Sequence, residues 1–118
     1  MIMRAADFVR SNSNVIPSEV SEFVLSVSEQ NAGEVLTPSR SATDVMRELS
    51  IRIPSIEQAG QNALFARELL KQLHNHELQE VLCWHVRRGD RIAAIYADAE
   101  CLEYIGAMLW TAPNWEFE

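Results

Sequence analysis

The sequence predicts an α+β fold, mostly helical, in which a three-helix core leads into a β-hairpin and a further helix lies at each end of the chain. Apolar residues recur at helical spacing in separate runs between Pro17 and Leu73. From Leu78 onward that period is lost and alternation takes over, with Leu82, Trp84 and Val86 on one strand face and Val81, Cys83 and His85 on the other. The polar stretch Arg87-Arg88-Gly89-Asp90 then separates two apolar runs and places a glycine where a hairpin turn needs positive φ. At 118 residues the chain is one domain's worth, long enough for a single core.

The elements follow in order. Met1 to Arg10 reads as a short helix with Ala5, Phe8 and Val9 inward, and Ser11-Asn12-Ser13-Asn14 ends it, so residues 1–14 form an N-terminal arm. Pro17 suits the first turn of a helix, and Val20, Phe23, Val24 and Val27 carry that helix to about Gln30. Asn31-Ala32-Gly33 stops it, and Thr37-Pro38-Ser39-Arg40 reads as a loop. Ser41 with Asp44 three residues on is a capping-box-like start, and Val45, Met46 and Leu49 form the stripe of a short helix that ends before Pro54.

Ser55-Ile56-Glu57-Gln58 is a second capping box and opens the third helix, which runs to Leu73. Winding that helix at about 100° per residue puts Ile56, Ala59, Ala63, Ala66, Leu70 and Leu73 on a core arc with Leu69 at its edge. Glu57, Gln61, Leu64, Glu68, Lys71 and Gln72 face outward, with Gln58, Asn62 and Phe65 at the margins. His74-Asn75-His76 breaks the helix and the hairpin follows, although Ala93-Ala94 would also suit a helix. Residues 15–97 thus form the central domain. Asp98 caps a last helix from Ala99 to about Trp110, with Leu102, Ile105 and Leu109 as one stripe and Tyr104 and Met108 as another. Residues 98–118 are therefore a terminal helix and tail, packed on the same domain or at a homodimer interface.

Hydrophobic residues make up 47% and charged residues 23% of the chain, a globular composition. The formal net charge of -7 works against phosphate binding, which relies on clustered Lys and Arg. The charge is unevenly spread. Two basic and five acidic residues lie from Met1 to Ser39, eight basic and seven acidic from Arg40 to Arg91, and five acidic with no basic from Ile92 onward. Cys83 and Cys101 lie in apolar segments and no run approaches a membrane span, which points to reduced thiols in a cytoplasmic protein.

The run Ser41 to Ala97, with Pro17 to Gln30 completing three helices, resembles the winged helix-turn-helix superfamily in the order of its elements. The resemblance implies that the third helix enters the DNA major groove while the hairpin wing touches phosphates. It assigns Ser55, Gln58, Gln61 and Asn62 to bases, and Arg40, Arg87, Arg88 and Arg91 to the backbone. Two features depart from it. The inter-helix turn Ser50-Ile51-Arg52-Ile53-Pro54 is longer than usual, and Glu57 and Glu68 on the outward face would repel phosphate. Leu64 and Phe65, exposed there, suit a protein partner better.

Other constellations carry less. His74, His76, Cys83 and His85 offer four metal ligands, but at a spacing that matches no standard zinc site, so no metal is expected. Cys83 and His85, two apart on a strand, sit too far apart for a dependable nucleophile and base pair, and no glycine-rich phosphate loop is present. Neither an enzyme nor a cofactor is expected. The sequence therefore supports a small DNA-binding regulator contacting duplex DNA, dimeric through its terminal helix. The alternative is a non-enzymatic protein-binding adaptor, antirepressor or inhibitor, acidic enough to imitate DNA.

Overall fold

A computed structural model of the chain describes residues 3–29, 34–58, 63–75, 80–99 and 103–111. Its elements are, in order, α1 (Ala5–Ser11), α2 (Ser18–Glu29), β1 (Glu34–Ser41), α3 (Ala42–Gln58), α4 (Ala63–Asn75), β2 (Glu80–Arg88), β3 (Arg91–Asp98) and β4 (Tyr104–Thr111). The strands form one antiparallel sheet in the order β1-β2-β3-β4.

The sheet is the middle layer of three. On one face Phe8, Val9, Val20, Phe23, Val24 and Val27 of α1 and α2 pack on Trp84, Val86, Ala93, Ile95, Ala97, Ala107 and Leu109. On the other, Val45, Leu49, Leu69 and Leu73 of α3 and α4 pack on Val81, Cys83, Ile92, Ala94, Tyr96, Ile105 and Met108. The two sets of strand residues alternate, as the period of two requires. β3 is covered on both faces, so Ile92 through Ala97 are all buried.

This architecture overturns the winged-helix expectation. The hairpin is not a wing beside a three-helix core but the centre of a mixed α+β sandwich. The predicted terminal helix is the strand β4, so the helix through which a dimer was expected does not form. The run Tyr104 to Trp110 is apolar on both sides because helices cover both faces of the sheet, and such a run shows no alternation to mark it as a strand. A bulge helped to hide it. Tyr96 pairs with Gly106 and Ala97 with Tyr104, leaving Ile105 as an extra residue that shifts the pattern by one.

Two further boundaries move. Thr37-Pro38-Ser39-Arg40 is strand, not loop, and its register shifts between Thr37 and Arg40, where Pro38 and Ser39 lie across from Leu82. Proline is tolerated there because β1 is an edge strand and the ladder is already interrupted. The second and third expected helices also change, since α3 continues through Pro54 to Gln58. Burial of Val45 and Leu49 holds α3 against the sheet and offsets the hydrogen bond that proline cannot make. The expected turn Ser50–Pro54 is therefore helix, and the real connection, residues 59–62, lies outside the described residues.

Several local expectations hold. The Asp44 N–H donates to Ser41 Oγ at 3.1 Å, capping α3. The stretch Pro17 to Gln30 contains α2, and the arm helix forms as α1 with Ala5, Phe8 and Val9 fully buried. It is no loose arm, because the Trp84 indole N–H donates to the Met3 carbonyl at 2.8 Å and the Trp84 ring stacks on Phe8 with centroids 4.6 Å apart.

Candidate functional site

The described arginines assigned to DNA fall into two separate groups. At the β2–β3 turn Gly89 has φ +62, and Arg88 pairs with Arg91 across the strands. Arg87 Nε donates to the Gly89 carbonyl at 2.8 Å and Arg88 donates to Ser26 Oγ at 3.0 Å. The Arg88 and Arg91 guanidiniums lie 5.9 and 5.1 Å from the centroid of Phe23. The arginine tip is thus exposed but tied down onto α2. Arg40 pairs in register with Val81, at the other end of β2, about 20 Å away at ~3.3 Å per residue, and donates to Glu48 at 2.6 Å. Ser55 and Gln58 fall in α3 rather than at the start of a recognition helix. The side chains of Ser55, Gln58 and Leu64 lie outside the described set, as do Gln61 and Asn62 altogether.

In α4 Leu73 is buried as the helical wheel expects, while the core arc is centred nearer Leu69 than Leu70. Among the described side chains of α4, Leu69 and Leu73 are buried, Leu70 is only partly covered, and Phe65 sits one turn before Leu69. Phe65 is half-buried and, although it belongs to α4, packs against the core formed under α1 and α2. It therefore bridges the two layers instead of standing out from the surface.

Cys83 and His85 are closer than strand geometry suggests. Cys83 Sγ lies 3.6 Å from His85 Nε2 and 3.7 Å from the Trp84 carbonyl. Burial pushes the thiol up to about 12, while the Tyr96 hydrogen bond and the charge of Arg40 pull it partway back. A thiol held protonated in this way is a weak nucleophile. His74 is exposed and His76 lies outside the described residues. Among the described residues no group of three or more His, Cys, Asp or Glu is placed to hold a metal ion.

A cleft of about 340 Å³ opens where α4, the first half of β4 and the α1–α2 connection meet. Phe65, Glu68, Leu69 and Gln72 form one wall, Tyr104, Ile105, Gly106 and Ala107 the second, and Val15 and Pro17 the third. Gly106 permits this arrangement, because a Cβ there would stand 2.6 Å from Leu69 Cδ1 and 3.0 Å from Leu69 Cα. Without a side chain at 106, α4 can rest directly on β4. At the rim Gln72 Nε2 donates to Glu68 Oε1 at 2.8 Å. Tyr104 is half-buried, and its phenol is pushed up to about 12 by burial and then by the charge of Glu68. Tyr104 therefore remains a neutral hydroxyl at any physiological pH.

Glu68 and Gln72 are legible in the sequence as an i, i+4 pair, but their partners across the cleft are more than thirty residues away and come together only through the sheet. Compared with protein-family models, curated protein sequences and solved structures, the chain gives no match. Among the described residues no helix is long and apolar enough to cross a membrane.

Proposed function

We propose that the chain is a non-enzymatic protein-binding module, acting as an adaptor, antirepressor or inhibitor, that receives a partner's side chains in the cleft between α4 and β4. The observation that carries this reading is the make-up of the cleft, an apolar floor of Leu69, Ile105 and Ala107 beneath a polar rim of Glu68, Gln72 and Tyr104. The net charge of -7 supports a basic partner surface. Cys83, a buried free thiol, suits a reducing compartment such as the cytoplasm.

Duplex DNA is the second reading, and the exposed arginines of the β2–β3 tip favour it. The two readings place contact at opposite ends of the sheet, since Tyr104 pairs with Ala97 whereas Arg91 pairs with Thr111. Affinity capture with the full chain separates them. A discrete protein retained by the chain should be lost on Glu68→Lys and kept when Arg87, Arg88 and Arg91 are together replaced by serine. The opposite pattern of loss would sink the cleft as the contact surface.

A further inference from the structure

We infer that the cleft takes an arginine side chain of the partner protein, with Glu68 as its charge partner; this rests on the protein-binding reading above. Three observations select that chemistry. Among the described residues that line the cleft Glu68 is the charged one, so the site offers a negative charge to whatever enters it. Its carboxylate is oriented by the Gln72 amide at 2.8 Å, and a carboxylate has about four acceptor positions, which leaves room for a two-pronged donor. Two aromatic rings, Phe65 and Tyr104, line the same space. A planar guanidinium can stack on such rings while its two-pronged edge meets the carboxylate, whereas a lysine ammonium is a point charge with neither a face to stack nor a fixed fork of donors. The molecule already uses this packing internally, where Arg88 and Arg91 lie over Phe23. The aliphatic stem of the entering arginine would lie along the apolar lining of Phe65 and Val15.

The test is a titration of the full chain, followed by amide NMR, with three capped tripeptides, glycine-arginine-glycine, glycine-citrulline-glycine and glycine-leucine-glycine. Citrulline keeps the shape of arginine and removes its charge. The arginine peptide should give saturable shifts at Leu69, Gly106 and Ala107 and bind about fivefold more tightly than the citrulline peptide, the scale of a partly exposed ion pair. Glu68→Gln, a surface change that keeps the size of the side chain, should remove that preference while leaving the spectrum folded. If citrulline or leucine binds the same residues as well as arginine does, the arginine assignment is overturned and the protein-binding cleft stands. If none of the three moves those residues, both fail. Shifts there that follow protein concentration without any peptide would mean that a second copy fills the cleft, which also overturns the assignment.

Discussion

Trp84 ties the N-terminal segment to the sheet, since its ring stacks on Phe8 and its N–H ends on the carbonyl of Met3, 81 residues away. Trp84→Phe keeps an aromatic ring but loses that hydrogen bond and some volume, and should lower the unfolding free energy by about 1–3 kcal/mol in urea denaturation. An unchanged midpoint would show that the N-terminal segment contributes little. Cys83 and Tyr104 make a second prediction at this scale. Each holds its proton to about 12 in the folded chain, against ordinary values of 9.0 and 10.0. Well below pH 9.0 both states of the chain carry both protons and these groups add no pH dependence. Between there and about 12 the unfolded chain releases them first, so stability must fall as pH rises. The double variant Cys83→Ala, Tyr104→Phe should show a shallower fall across that window than the parent chain, and an identical slope would refute the assignment.

At the scale of elements, the contact between α4 and β4 depends on the missing side chain at Gly106. Gly106→Ala forces its Cβ against Leu69, where the Cδ1 at 2.6 Å can move aside but the Cα at 3.0 Å belongs to the helix backbone. The expected loss is about 1–3 kcal/mol. A cycle with Leu69→Ala tells which contact matters: strain from the backbone gives coupling below about 0.5 kcal/mol, whereas a cycle with large favourable coupling would assign it to the Leu69 side chain. The β2–β3 turn behaves differently, because Gly89 has open space around its Cβ position and only its φ of +62 resists substitution. Gly89→Ala should therefore cost about 1–2 kcal/mol, and Gly89→Asn less, since asparagine tolerates the left-handed region.

For the whole molecule, the distribution of charge bears most on function. The arginines predicted to contact phosphate do not form one strip, because Arg40, on β1 opposite Val81, and the tip arginines lie at opposite ends of the sheet and Arg40 is paired with Glu48. With a net charge of -7, the chain should not retain a short DNA duplex at about 0.15 M salt. Retention at that salt, with a salt dependence that weakens when Arg87, Arg88 and Arg91 become serine, would reverse the order of the two functional readings.

The sequence by itself determined whatever depends on near neighbours. The α2 stripe, the Ser41 cap, the alternation of β2 and the glycine of the turn are each set by residues within a few positions of one another, where helical and strand periods act directly. Only the tertiary structure decided that Tyr104–Thr111 is a strand, that Pro38 lies on a sheet edge and that α3 continues past Pro54. In each case the deciding interactions are with distant residues, through burial or strand pairing, which override local propensity and leave no periodic mark in the segment itself. The cleft belongs to the second kind. Glu68 and Gln72 are visible as a helical pair, but the Tyr104 and Gly106 that turn them into one wall of a site reach them only because β4 closes the sheet beside α4.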